Sequence, residues 1–403
     1  MAPSATSGRP IGGRTKGDQL RFAVYTDYLY RRANGAVYAE RAFALFLAHL
    51  ERSVSLVVVG RLDPSGERLR YRLPEGIAFA ALPVYPSLVH PAAILAMARS
   101  LRRFWRLLSE VDGVWLLGPH PLALAFAVLA AVRRKRIVLG VRQDFPAYVR
   151  SRHSARSWMY PVAFVLEAAY RLLARVCPVI VVGPDLARRY RHSPRVEQIA
   201  VSLVRESQIV TVAEASRRSY DAALNVLSVG RLEREKNPLL LAEILARLRR
   251  EDRRWRLLVY GEGPLEPQLD SRLRELGVRE HAELRGYVPL DGGLLDAYKE
   301  SHAFLHVSWT EGLPQVVFEA FATGLPLVAT AVGGVPSAVG DAALLIPPND
   351  AEAAAASLLR VADEPALRTS MIESGIALAR RHTLESECQR VTDVLEDSSI
   401  FSV

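Results

Sequence analysis

The chain has 403 residues, half of them apolar and 24% charged, enough for two or three domains with ordinary cores. That composition excludes a disordered or collagen-like chain. Net charge is +9 and uneven: residues 1–220 carry 33 basic and 15 acidic side chains, residues 221–403 carry 19 and 28, so the first half should face an anionic partner.

Cys177 and Cys388 stand far apart and outside metal-ligand spacing, so neither a disulfide scaffold nor a structural zinc site is expected, and a reducing cytoplasm fits best. The basic residues are spread over many segments without zinc-finger spacing or an RNA-binding aromatic motif, so nucleic acid is not an expected partner. Residues 1–19 are rich in Gly, Ser, Thr and Arg and lack an apolar core segment. They read as a disordered arm and not a signal peptide.

In chain order, short apolar runs alternate with segments at helical spacing, the pattern of parallel sheets with crossover helices. Strands are predicted at Phe22–Tyr25, Ser55–Val59, Val114–Leu117, Ile137–Val141 and Val179–Val182. A second series follows at Leu224–Val229, Arg256–Tyr260, Ala282–Leu284, Ala303–Val307, Leu327–Ala329 and Ala343–Ile346. Helices are predicted at Tyr38–Leu50, Leu239–Arg250 and Glu352–Val361. The uncharged stretches Gly113–Val132 and Ala320–Gly340 are interrupted by Gly and Pro, so neither is expected to cross a membrane.

The expected architecture is α/β: residues 20–215 form one doubly wound Rossmann-like domain and residues 216–383 a second. A final helix over 384–403 crosses back to the first. The polar passage at residues 205–223 marks the join. Ligands of such sheets collect outside the carboxyl ends of the strands, so the site is expected in the cleft between the domains.

Ser308–Pro326, SWTEGLPQVVFEAFATGLP, leaves a strand and enters a helix at Pro314. Eight residues separate Glu311 from Glu319, ~12 Å if helical throughout. That is the span of a sugar, a diphosphate and a ribose. Two such glutamates are also common as solvated helix charges. Ser228–Pro238, SVGRLEREKNP, weighs against that plain reading. After Gly230 it offers Arg231 and Lys236 at a strand end, where two cations could neutralise a diphosphate and stabilise it as a leaving group. Gly261-Glu262-Gly263-Pro264 reads as a tight turn that lets backbone approach a ligand.

Taken together, G-R-L-x-x-E-K-N, G-x-G-P, G-Y-V, E-G-L-P-x-x-x-x-E and A-T-G-L-P-L-V-A-T-x-V-G-G-V-P resemble the motifs of family-4 retaining glycosyltransferases of the GT-B fold, in the family's order over residues 224–350. The resemblance implies that Arg231 and Lys236 bind a donor diphosphate. Glu311 would hold sugar hydroxyls beside the backbone N–H groups of Gly312 and Leu313, at the Pro314 helix start. Glu319 would hold ribose hydroxyls, and Tyr287 and Val288 would contact the base. Gly230 and Gly263 would border the donor. The donor would be a UDP- or GDP-linked sugar, and the acceptor a glycan, a lipid-linked molecule or a small molecule. No Asp-x-Asp occurs, which suits an enzyme that meets phosphate charge with its own cations, so no cofactor or metal is expected.

The first half resembles the family less. Gly35, in Asn34-Gly35, resembles its glycine loop, with one glycine where two are usual. At Val201–Arg205 the family's Asn-Gly turn is absent. Where many members present a donor-contacting histidine, this chain reads Gly140-Val141-Arg142-Gln143-Asp144, so Arg142 takes that place, with Gln143 and Asp144 as further contacts. His120 also ends a strand and is a candidate contact, set against the plain reading of a loop histidine. Arg99, Arg102, Arg103 and Arg106, among Leu95, Leu101, Phe104, Trp105, Leu107 and Leu108, suggest peripheral contact with an anionic membrane, joined by Arg133–Arg136, with a solvated arginine face as the alternative. The competing functions are a GT-B sugar-nucleotide epimerase, which needs acid and base carboxylates, and a two-lobed sugar-binding protein. A dehydrogenase is disfavoured, since no strand is followed by G-x-G-x-x-G.

Overall fold

The structure is a computed structural model describing residues 19–63, 70–85, 90–152 and 158–401, so nearly all of the expected N-terminal arm lies outside the described residues. The first domain contains β1 (Arg21–Ala33), β2 (Ala36–Ala39), β3 (Ser55–Leu62), β4 (Tyr71–Arg72), β5 (Ala78–Leu82), β6 (Gly113–Gly118), β7 (Arg136–Val141), β8 (Val179–Val182) and β9 (Val196–Ile199). Strands β5, β3, β1, β6, β7, β8 and β9 run parallel in that order. Their apolar runs are continuous because helices cover both faces. Phe104, Leu122, Phe126 and Tyr170 pack on one face, Phe43, Phe46 and Leu47 on the other.

One sequence expectation changes here. The first strand continues to Ala33 and turns back through Asn34-Gly35 into antiparallel β2. Both turn residues have positive φ, 49° and 76°, the conformation that makes Asn-Gly a hairpin signal. Gly35 therefore sits at a hairpin tip, not in a loop entering a helix, and the helix starts at Phe43. In helix Pro91–Leu107 the apolar residues Phe104 and Leu107 face the core with Leu108, while Ile94, Leu95, Arg99, Arg102, Arg103 and Arg106 are exposed.

The second domain contains β10 (Leu224–Val229), β11 (Trp255–Tyr260), β12 (Ala282–Leu284), β13 (Ala303–His306), β14 (Leu327–Thr330) and β15 (Ala343–Ile346). These form a parallel sheet in the order β12-β11-β10-β13-β14-β15. Helices Leu240–Glu251 and Ala351–Asp363 pack on one face and Gln315–Ala322 on the other. Two Rossmann-like α/β domains are thus present.

The join runs earlier than its polar composition suggests. Val204 already lies in the second domain's core, and the Val210 N–H donates to the Ala322 carbonyl at 2.9 Å. Val201, near the missing Asn-Gly turn, takes φ 46° itself, a conformation costing an L-residue ~1–2 kcal/mol. The last helix, Leu384–Glu396, returns to the first domain and buries Leu384, Cys388 and Val391 with Phe46 and Leu47. Its buried Glu387 accepts the Ala200 N–H at 2.7 Å. Among the described residues no helix is long and apolar enough to cross a membrane. The stretch Gly113–Val132 is β6, a loop and helix Pro121–Val132.

Candidate active site

The middle of β1, the ends of β6 and β8 and the segments after β7, β10 and β13 meet at one inter-domain cavity of about 410 Å³, lined among others by Asp27, Gly118, Arg142, Val182, Arg231 and Glu311. A second cavity, about 270 Å³, is lined by Gly230, Lys236, Tyr287, Val288, Pro314 and Glu319. Arg231, Gln315, Glu40 and Arg41 line both, so the two form one continuous trough. Several contacts hold the domains together beside it. Arg70 pairs with Glu262 at 3.1 Å and lies 4.6 Å over the Tyr287 ring. The Gln315 side chain donates to the Val201 carbonyl at 3.1 Å. Gly312 packs so close to the first domain that a Cβ would lie 2.8 Å from the Arg142 carbonyl oxygen.

Glu311 follows β13 and lines the larger cavity with Gly312 and Leu313. Its Oε1 accepts from Lys236 Nζ and from Ser308 Oγ (2.6 Å), and lies 3.1 Å from His306 Nε2. Burial favours the neutral acid, but the Lys236 charge and the His306 hydrogen bond overcome it and hold the Glu311 carboxyl well below the usual carboxylate range. Glu311 is therefore an anion at any physiological pH. None of these contacts uses Oε2, which leaves an acceptor for hydroxyl donors.

Arg231 and Lys236 meet where the sequence suggests. Arg231 pairs with Glu233 and, at 2.9 Å, with buried Glu235. These pairs occupy two of its five N–H donors and fix the guanidinium, with the remainder available to a ligand. The turn at Gly261 lines the smaller cavity and also packs against the loop after β10. It has φ 142°, and a Cβ there would lie 1.8 Å from the Gly230 carbonyl oxygen, so the glycine lets two protein loops meet behind Arg231. Gly263 likewise abuts Leu232 and lines an outer opening that shares Arg70, Glu262 and Tyr287 with the smaller cavity.

Glu319 is buried, and the Tyr298 hydroxyl donates to it at 2.8 Å. Burial pushes its carboxyl up to about 7, with the Tyr298 bond opposing. Helix Gln315–Ala322 begins after Pro314, so Glu311 lies in the non-helical approach and the two acids line different cavities.

The first-domain candidates divide. Arg142 and Gln143 line the larger cavity. Asp144 lines neither: it accepts the Ala147 N–H at 3.1 Å and pairs with Arg189 at 2.6 Å, which makes it a helix-start anchor. His120 lines the cavity, yet its Nδ1 is within 2.9 Å of the Tyr25 hydroxyl and accepts the Leu122 N–H at 3.1 Å, and its Nε2 is 3.3 Å from the Tyr85 hydroxyl. Burial pushes it down to about 4, so it is neutral and anchors the loop after β6. Gly35 lines neither cavity. Sequence reasoning missed Arg41 and Gln315, and with them the residues that hold the acids: His306, Ser308 and Tyr298. Arg41 was legible in principle, since it immediately precedes the apolar run at Phe43, but the helix assigned from Tyr38 absorbed it.

Comparison with known proteins bears on the same elements. Residues 213–377 match the family model described as glycosyl transferases group 1. The O-antigen chain mannosyltransferase B of Escherichia coli is 32% identical over 162 residues, 40% of this chain and 42% of that protein. A D-inositol 3-phosphate glycosyltransferase of Corynebacterium aurimucosum is 30% identical over 235 residues, 54% of this chain and 55% of that protein. The match thus spans about half the length of these curated relatives. Sucrose-phosphate synthase from Thermosynechococcus elongatus superposes with a TM-score of 0.70 at 17% identity, covering 94% of this chain and 98% of that one. The Anabaena protein HepE in complex with UDP and glucose gives 0.69 at 15%, covering 94% and 100%. The chain therefore has the GT-B fold, and its residues 213–377 match the glycosyl transferases group 1 model.

Proposed function

We propose that the protein is a retaining glycosyltransferase that moves a sugar from a UDP- or GDP-linked donor to an acceptor hydroxyl. The observation that carries this reading is the continuous trough, with Glu319 at one end, Arg231 and Lys236 in the middle and Glu311 at the other. The base and ribose would lie by Tyr287, Val288 and Glu319, the diphosphate by Arg231 and Lys236, and the sugar against Glu311 and the backbone of Gly312 and Leu313. As the bond from the anomeric carbon to the phosphate oxygen breaks, the fixed cations take up the growing charge on the diphosphate without needing to reorganise. The acceptor oxygen bonds to the anomeric carbon from the same face, and its proton passes to the departing phosphate. In this reading the protein's cations meet the phosphate charge and no metal is required. The complex of Anabaena HepE, a protein of the same fold, with UDP-glucose supports a nucleotide-sugar donor.

The epimerase alternative is less well supported, because Glu311 is held ionised and bonded through Oε1, and Glu319 lies in the other cavity. A screen of nucleotide sugars for slow release of free nucleotide tests the reading. Release from at least one donor is expected, and release from none across UDP- and GDP-linked sugars would count against it.

We also propose that the first domain rests on an anionic membrane, on its cytoplasmic face, with a glycan or lipid-linked acceptor. Beside the helix the sequence suggested, a second helix supplies supporting surface. Helix Met159–Leu173 buries Ala163, Glu167 and Tyr170 and turns apolar residues outward: Phe164 and Val165 are each 67% exposed, Leu172 63%. Val176, 75% exposed, and Val128 and Val132 of the neighbouring helix are exposed too. Exposed Arg133, Arg134, Arg171 and Arg175 lie among them. An outward apolar face edged with arginines suits acyl chains below and anionic headgroups around.

A further inference from the structure

The larger cavity contains a positive charge that the proposed reaction does not use. Arg142 extends from the end of β7 with its guanidinium 4.6 Å from the Phe43 ring centre and 5.2 Å from that of Tyr28. Its Nη1 is buried and has no hydrogen-bond partner. Among the described residues Arg142 forms no ion pair. Burial lowers it only to about 10, with Asp27 opposing, so it remains a cation. A half-buried guanidinium held by aromatic faces, with a buried and unbonded Nη1 and no carboxylate partner, is costly, and an anion delivered by a ligand relieves that cost.

The surroundings point the same way. Arg41, also without an ion pair among the described residues, lines this cavity, as does Arg61, which gives two of its five donors to the Asp27 backbone carbonyl. Of the carboxylates on the wall, Asp27 and Glu40 are exposed, and Glu311 is already paired with Lys236. Arg142 does not line the smaller cavity of Glu319 and Lys236, so it stands on the far side of Arg231 from the proposed nucleotide.

Resting on the glycosyltransferase reading, we infer that one of the two substrates carries an anionic group, a carboxylate or a phosphate, which Arg142 receives in the larger cavity. Two sources share this chemistry. The transferred sugar could be a hexuronic acid, or the acceptor could carry a phosphate or carboxylate near the hydroxyl that is glycosylated. Asn, Gln or a neutral hydroxyl could satisfy Nη1 but would leave the charge unmatched. A hydroxyl-only sugar is thus the poorer complement to this wall.

The test uses the full chain and its Arg142→Met and Arg142→Lys variants, with melting temperature and binding of free UDP and GDP as controls for fold. Donor hydrolysis is compared between UDP-hexuronic acids and UDP- or GDP-linked neutral hexoses. Transfer is then compared between acceptors with and without a phosphate or carboxylate. An anionic donor preferred over its neutral counterpart assigns the group to the sugar, and preference confined to acceptors assigns it to the acceptor. In either case Arg142→Met should lower the preference at least ~30-fold, the lower end for losing one partner of a buried charge pair, and Arg142→Lys should restore part of it. Equal use of neutral and anionic substrates, with discrimination unmoved by Arg142→Met, overturns the inference and leaves the glycosyltransferase reading intact. A loss of free-nucleotide binding in Arg142→Met, with normal melting, overturns it too, by assigning Arg142 to the diphosphate. Failure to release nucleotide from any donor defeats the underlying reading instead.

Discussion

Lys236 donates to Oε1 of Glu311, the same carboxylate oxygen that Ser308 and His306 contact, so three neighbours from two segments converge on one atom and leave the other free. The arrangement fixes the acid while reserving half of it for a ligand. Removing Lys236 should therefore affect more than phosphate charge. Lys236→Met is expected to lower stability by ~2 kcal/mol, below the usual cost of breaking a fully buried pair because the lysine is partly exposed. Because Glu311 is depressed in the folded state, the stability it supplies is present above its unfolded pKa and lost as pH falls below it. Lys236→Met should accordingly flatten the acid limb of a denaturation series, and an acid limb identical to that of the parent would contradict the pairing.

His306 and Ser308 are positioning residues by the same geometry. His306→Phe should weaken transfer mainly through turnover, with free-nucleotide affinity kept within about threefold, since Glu311 would lose orientation and not charge. Calorimetry with UDP or GDP beside steady-state kinetics separates the two, and an equal loss in both would argue for a wider disruption.

Arg231→Ala combined with Lys236→Ala should reduce turnover at least ~100-fold, the scale for losing a preorganised contact to transition-state charge. Single-turnover nucleotide release measures it. Near-normal turnover in the double variant would remove these cations from the chemistry.

Glu319 yields a pH prediction. Burial raises its carboxyl to about 7, so below that pH it is largely protonated and a poorer acceptor for ribose hydroxyls. Donor affinity should strengthen from pH 6 to 8 and level off above. Glu319→Gln should bind weakly at every pH, without that slope. The stability effect runs the other way: the fold keeps the proton that the unfolded chain releases above about 4.5, so this carboxyl's favourable contribution is lost as pH rises through about 7. Affinity independent of pH in the parent protein would dissociate Glu319 from the ribose.

Membrane contact should depend on the outward apolar face. Phe164→Asp with Val165→Asp is expected to abolish co-sedimentation with anionic vesicles without lowering the melting temperature, since both side chains are exposed. Binding of the parent should weaken with added salt, as arginine contacts to headgroups are screened. Equal binding to neutral vesicles would refute the electrostatic part.

The second domain was the more legible half. Its strands are bounded by glycines and prolines at fixed offsets, and Arg231, Lys236, Glu311 and Glu319 each sit in a segment whose local geometry is written in a few adjacent residues. What escaped depends on contacts across the sequence. Arg41 gains its place because a hairpin, not a helix, precedes it. Asp144 and His120 are drawn into anchoring by Arg189, Tyr25 and Tyr85, which no local pattern pairs with them. The outward face at Phe164 was missed because a helix apolar on both sides gives no clear stripe.

If a nucleotide sugar occupies the trough between the domains, a crystal structure with a bound donor will show it. Ribose oxygens are expected within hydrogen-bond distance of Glu319, the diphosphate against Arg231 and Lys236, and a sugar hydroxyl on Oε2 of Glu311. Density for the donor outside both cavities, or with the sugar at Glu319 and the base at Glu311, would contradict it.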